Sequence, residues 1–170
     1  MKNIVLIGLS GCGKSTLGRR LARRLRMPLL DTDAMIAEAE GCSIPDIFAE
    51  RGEAYFRDLE SAACHAVADL KGAVIATGGG VVLREENMRA LAENGVIFFI
   101  DRHPSRILRS ASLHDRPLVQ DDSQRLHGLY SERLPLYRRW ADATVRNAGG
   151  RRRLARCLRR ILRHFRQYAA

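Results

Sequence analysis

Asn3-Ile4-Val5-Leu6-Ile7 is a short apolar run that leads directly into Gly8-Leu9-Ser10-Gly11-Cys12-Gly13-Lys14-Ser15, and a helical pattern opens at Lys14. The eight residues fit G-x-x-x-x-G-K-[ST] in the context that gives the motif meaning, strand before and helix after. The physical demand is specific. Backbone N–H groups at a helix N-terminus can surround a polyphosphate only where no Cβ stands in the way. Gly8, Gly11 and Gly13 supply that clearance. Lys14 then reaches the β- and γ-phosphates, and the Ser15 hydroxyl is placed to ligate Mg²⁺. Cys12 and Thr16 complete the set of residues expected to line the nucleotide phosphates. The chain has three lysines (Lys2, Lys14, Lys71), and one stands where the motif requires it. A plain Gly-rich connector would need neither that lysine nor the serine.

Phosphate binding at a loop invites the question of where the positive charge lies. The formal net charge is +10, but residues 151–170 hold eight arginines and no acid. The rest of the chain has 21 basic against 19 acidic groups, a balance of only +2. The excess is therefore a property of the tail. There, Leu154, Cys157, Leu158, Ile161, Leu162 and Phe165 recur at helical spacing and form a single apolar stripe, with arginines at the other positions. Such a stripe docks on a sheet and leaves the arginines in water. Few aromatics interleave to stack bases, so a nucleic-acid partner is not expected. No apolar run approaches a membrane span, and no signal peptide precedes the glycines. Cys12, Cys42, Cys64 and Cys157 are scattered without C-x-x-C spacing, which suits a reduced, cytoplasmic protein.

At 170 residues the chain has the length of one domain. Lys14–Arg26 reads as a helix ended by Pro28. Leu29-Leu30 begins a second strand that runs into Asp31-Thr32-Asp33, two carboxylates at the strand edge where open parallel α/β sheets bind ligands. Capping of the next helix, Ala34–Glu40, is the competing use for one of them. A short helix after Ser43 and a longer one from Gly52 follow, the latter carrying Arg57 and Glu60 three residues apart. On spacing alone those two are an ordinary surface ion pair. Ala73–Ala76 is a short, fully apolar strand ending in Thr77-Gly78-Gly79-Gly80, and the glycines are expected to open backbone N–H groups to oxygens. A helix over Arg84–Asn94, a strand over Val96–Ile100 and a helix from Pro104 to Ser110 come next. Residues 111–124 show no periodicity, and a mobile lid carrying Arg116 is expected there. Helix resumes near Arg125 and contains Arg133-Leu134-Pro135-Leu136-Tyr137, with a kink or break at Pro135. Ala143–Val145 is a fifth strand.

These features, in this order and at these distances, resemble the shikimate kinases over residues 4 to about 146. The resemblance implies a three-layer α/β fold with a five-stranded parallel sheet flanked by helices, like the nucleoside monophosphate kinases. It also implies transfer of the γ-phosphoryl of ATP to the 3-hydroxyl of shikimate. Asp33 would bind the substrate hydroxyls and act as base, and Asp31 would help Ser15 hold Mg²⁺. Arg57 and Arg133 would grip the carboxylate, with Glu60 orienting Arg57. Gly78, Gly79 and Gly80 would present backbone to the ring, and Arg116 would close over the phosphates with Lys14. The substrate-binding helical region would span 33–62, in a chain acting as a monomer. Three features depart from the family pattern. Cys64 replaces an aliphatic residue, Asn147-Ala148-Gly149-Gly150 lacks the proline expected near adenine, and the arginine-rich tail exceeds what the family pattern needs. A gluconate or nucleotide kinase is the nearest alternative, and a GTPase is disfavoured because the chain has no Asn-Lys-x-Asp.

Overall fold

The structure, a computed structural model, describes residues 1–110 and 119–168. Five strands lie parallel in the order β2-β3-β1-β4-β5, with β1 (Asn3–Ile7) in the centre. Every residue of β1 is buried, which explains its unbroken apolar run: both faces are covered by helices. β1 pairs Val5 with Ile75 of β3 (Val74–Ala76) and with Ile97 of β4 (Gly95–Asp101). β2 (Leu29–Asp31) and β5 (Ala143–Arg146) form the edges.

α1 (Lys14–Leu25) buries Leu17, Gly18, Leu21 and Ala22. A Cβ at Gly18 would stand 2.9 Å from Leu29 Cδ1, so the absence of a side chain sets how closely α1 lies on the sheet. Arg26 ends the helix in the left-handed region (φ 55°) and Pro28 follows. α2 (Thr32–Glu40) begins two residues earlier than its periodicity suggested. α3 (Ile44–Ala68) is two helices joined at Gly52, whose φ of 80° and ψ of 174° are not helical. Its start is fixed by a capping box in which Asp46 N–H donates to Ser43 Oγ and Ser43 N–H donates to Asp46 Oδ2, both at 3.3 Å.

α4 (Glu85–Asn94) and α5 (Pro104–Ser110) match the sequence pattern. α6 (Val119–Trp140) differs from it twice. It starts at Val119 rather than near Arg125, so only 111–118 of the expected lid, with Arg116, lies outside the described residues. It also runs through Pro135 without a break. Proline there costs the bond to the Ser131 carbonyl, but the turns on either side are pinned by tertiary contacts, notably fully buried Tyr137. α7 (Arg151–Phe165) buries Cys157, Ile161 and Phe165, as the stripe predicts. Among the described residues no helix is long and apolar enough to cross a membrane.

Candidate active site

The C-terminal ends of β1, β2 and β3 bring the sequence-predicted residues to one edge of the sheet. After β1, Gly8, Gly11 and Gly13 adopt φ values of 139°, 78° and 105°, a region that side chains rarely enter. No side chain caps α1, so its first-turn N–H groups end at the loop. The Lys14 ammonium is buried and donates to Gly8 O (2.6 Å) and Leu9 O (2.9 Å), curled against the loop it serves. Asn147, just past β5, donates from Nδ2 to Cys12 O at 2.8 Å and braces the loop from the far side.

Asp31 occupies the N-cap position of α2, yet its carboxylate caps nothing there. It reaches across to accept the Ser15 hydroxyl at 2.8 Å. Capping therefore does not explain Asp31. Asp33, in the first turn of α2, points towards Gly78 instead.

The three glycines after β3 are each required by a different neighbour. A Cβ at Gly78 would lie 2.6 Å from both Asp33 Oδ1 and Glu60 Oε1. One at Gly79 would lie 3.0 Å from the Ser10 N of the phosphate loop, and one at Gly80 would overlap the Arg57 guanidinium. Arg133 Nη1 donates to Gly79 O at 3.2 Å, and the buried Tyr137 hydroxyl donates to the same carbonyl. The expectation of open N–H groups along this turn is corrected at Gly78. Its N–H donates to Thr32 Oγ1 at 3.2 Å, because the buried Thr32 hydroxyl otherwise lacks a partner.

Arg57 and Glu60 are not a surface pair. Glu60 is completely buried, and its Oε2 takes Arg57 Nη1 at 2.6 Å. Glu53 accepts from the other side of the same guanidinium, at 2.9 Å from Nη2 and 3.2 Å from Nε. Burial works against the charge on Arg57, but the two carboxylates outweigh it and hold the group firmly protonated. Burial also pushes the Asp33 carboxyl above the ordinary range; Lys14 opposes that shift and Asp31 adds to it. Glu60 is raised by burial too, against the pull of Arg57. Asp33 Oδ1, Glu60 Oε1 and Arg133 Nε are buried with no hydrogen-bond partner among the described residues. Orphaned polar atoms grouped in this way suit a polar ligand that supplies the missing bonds.

The shikimate kinase family model matches residues 10–164. A shikimate kinase of Caldanaerobacter subterraneus is 47% identical over 148 residues, covering 85% of this chain and 86% of the relative. One from Neisseria meningitidis is 41% identical over 170 residues, 96% of this chain and 100% of the relative. The chain belongs to the shikimate kinase family. It is thus a nucleotide-utilising phosphotransferase with an alcohol acceptor. Among solved structures, shikimate kinase from Acinetobacter baumannii in complex with shikimate superposes with a TM-score of 0.89 at 31% identity, covering 99% and 95% of the two chains. A gluconokinase of Sinorhizobium meliloti, at 18% identity and a TM-score of 0.60, shares the fold alone.

Several residues of this shikimate kinase family site carry no signal in their spacing. Thr32 reads as a cap and Asn147 as a turn residue, Glu53 draws no notice, and Tyr137 enters only as the end of the Arg133-Leu134-Pro135-Leu136-Tyr137 segment. Each contributes through a contact distant in sequence or across a helix turn. Only Asn147, a buried amide beyond the last strand, could have been suspected from its position at the ligand edge of the sheet.

Proposed function

We propose that this chain transfers the γ-phosphoryl group of ATP to the 3-hydroxyl of shikimate, giving shikimate 3-phosphate and ADP. The observation that carries the reading is the convergence of Asp33, Arg57 and Arg133 on three consecutive glycines, one of which touches the phosphate loop. A cyclic triol carboxylate needs cations for its carboxylate and an acceptor for its hydroxyls. Arg57 and Arg133 offer planar forks for the first. Asp33 Oδ1, buried and unpartnered, accepts the proton of the attacking hydroxyl. Its raised pKa brings it closer to the range in which a base both ionises and takes up a proton at working pH. Glu60 and Glu53 fix the orientation of Arg57, and the Gly78–Gly80 backbone forms the floor beneath the ring.

On the nucleotide side, the N–H groups of Gly11, Gly13, Lys14, Ser15 and Thr16 surround the phosphates, with Gly8 giving the loop its entry turn. The expected Cys12 N–H is corrected to a turn bond, since it donates to Leu9 O at 3.2 Å and lines the loop without pointing a free donor at the phosphates. Lys14 turns from its own loop carbonyls to the β- and γ-phosphates, and Arg116, outside the described residues, closes over them. The Ser15 hydroxyl and the Asp31 carboxylate, 2.8 Å apart, fit a hard cation that takes oxygen ligands, and these two residues would hold Mg²⁺. Bound there, the ion would neutralise charge on the phosphate oxygens as the bond to the leaving ADP breaks. A cavity of about 230 Å³ lined by Arg102, Arg106, Arg109, Ala148 and Gly149 begins one residue past Asn147, which bonds the loop, and is the proposed seat of adenine. The chain would act as a single-domain cytoplasmic monomer, a compartment supported by the free, buried thiols of Cys12, Cys64 and Cys157.

The test is ADP release from ATP and Mg²⁺ with shikimate, gluconate, AMP or water as acceptor. Release with shikimate alone is expected. Release with gluconate or AMP in its place would overturn the assignment of Arg57 and Arg133 to a shikimate carboxylate.

A further inference from the structure

The arginine-rich tail takes no part in the chemistry above. Three of its residues, Arg153, Arg156 and Arg160 of α7, meet Arg106 of α5 and Arg146 at the end of β5 around a cavity of about 420 Å³. Buried Val145 and Cys157 contribute its apolar floor. All five arginines are exposed, no acidic side chain lines the cavity, and none of the five pairs with a carboxylate among the described residues. Arg106 Nη1 and Arg153 Nη1 both donate to Ala148 O at 3.2 Å, which anchors two of the forks on one carbonyl. Cys157 Sγ donates to Arg146 O at 3.3 Å and ties that strand end to the helix.

Five like charges around one hollow repel one another. Asp101, the strand neighbour of Arg146, is the nearest acid in the sheet register, and none of the five arginines forms an ion pair among the described residues. The volume lies in the range of small-ligand sites, roughly 300–1,000 Å³. Guanidinium forks match phosphate oxygens bidentately. A single carboxylate would leave most of the charge uncompensated, whereas a short phosphate chain carries several charges in a compact body. A nucleic acid fits less well, because no aromatic side chain lines the cavity to stack a base. We propose that this cavity binds a compact oligophosphate anion, free or as the phosphate chain of a nucleotide, at a site separate from the phosphate loop and adjoining the proposed adenine cavity, with which it shares Arg106 and Ala148.

The test is calorimetric titration of the full chain with inorganic tripolyphosphate. The wild type is expected to take up two equivalents, one at the phosphate loop and one at the cavity. Lys14→Met should lose the first. The double variant Arg156→Ala/Arg160→Ala should lose the second, weakening it by roughly tenfold or more, while kinase kcat and KM stay within about twofold. Arg156→Gln/Arg160→Gln serves in its place should alanine impair folding. Arg159→Ala/Arg163→Ala removes the same charge from the same helix outside the cavity and should leave both equivalents in place. Uptake of a single equivalent that Lys14→Met abolishes would overturn the proposal. So would equal losses in the two double variants, which would mean diffuse attraction, or oligonucleotide binding with no tripolyphosphate at the cavity. Repetition with CTP separates the two sources. Uptake of tripolyphosphate but not CTP assigns a free oligophosphate, and uptake of both a nucleotide-borne one.

Discussion

Asp33 illustrates how one residue can serve function at the expense of stability. Burial raises its pKa, with Asp31 adding to the shift and Lys14 and Arg57 opposing it. A carboxyl raised in the folded state stabilises the fold fully only below its unfolded pKa. That contribution is lost as pH rises through the folded value. Ionised Asp33 is therefore a net cost to the fold. Asp33→Asn is expected to lower kcat by about 100- to 10,000-fold while raising Tm, measured by steady-state kinetics and thermal unfolding. By the same shift, the acid limb of the kcat/KM profile of the wild type should lie above the ordinary aspartate range. Gly78 is the second informative residue. A methyl there meets Asp33 Oδ1 and Glu60 Oε1 at 2.6 Å, against carboxylates held by burial and by Arg57. Gly78→Ala should cost about 1–3 kcal/mol in denaturant unfolding and raise the acceptor KM more than the ATP KM.

At the scale of elements, the site depends on strand ends being held in register with loops far away in sequence. β5 ends at Arg146, and the next residue spans the gap to the phosphate loop with a 2.8 Å bond to Cys12 O. A Cβ at Gly13 would stand 2.7 Å from that same amide, so loop and strand end are fitted to each other. Asn147→Ala leaves the Cys12 carbonyl buried without this donor and should cost about 1–3 kcal/mol. Because the loop loses its brace, KM for ATP should rise while KM for the acceptor changes little, which two-substrate kinetics would resolve. α6 follows the same logic in the other direction. Its Arg133 and Tyr137, one turn apart, both hold Gly79 O, and this shared anchor runs directly through the proline turn.

For the whole molecule, α7 has two faces with different work. Its inner face covers the sheet with Cys157, Ile161 and Phe165, each fully or almost fully buried. Burial of a large apolar side chain contributes about 1.5–3 kcal/mol, and a domain of this kind is stable by only about 5–15 kcal/mol. Deletion of 151–170 should therefore abolish cooperative unfolding, followed by circular dichroism. Arg159→Ala/Arg163→Ala, on the outer face, should shift stability by no more than about 0.5 kcal/mol per site. Loss of function on removing the tail would thus report on the core and not on its charge.

The amino-acid sequence alone determined the elements and the phosphate loop. Strand and helix periods, the glycines at 8, 11 and 13, and the Lys14-Ser15 pair are local patterns, and local patterns survive in one dimension. The acidic pair after β2 and the glycines after β3 were legible as site material for the same reason. The family resemblance implied roles for them, and tertiary structure alone decided the contacts through which each acts. It joined Asp31 to Ser15 and set Glu60 at full burial beneath Arg57. It turned the Gly78 N–H to Thr32 rather than to open space and carried α6 through Pro135. These outcomes depend on burial and on partners tens of residues away, and burial is a property of the packed chain. That is why Arg57 and Glu60 look like a surface ion pair by spacing and form a desolvated anchor in the fold.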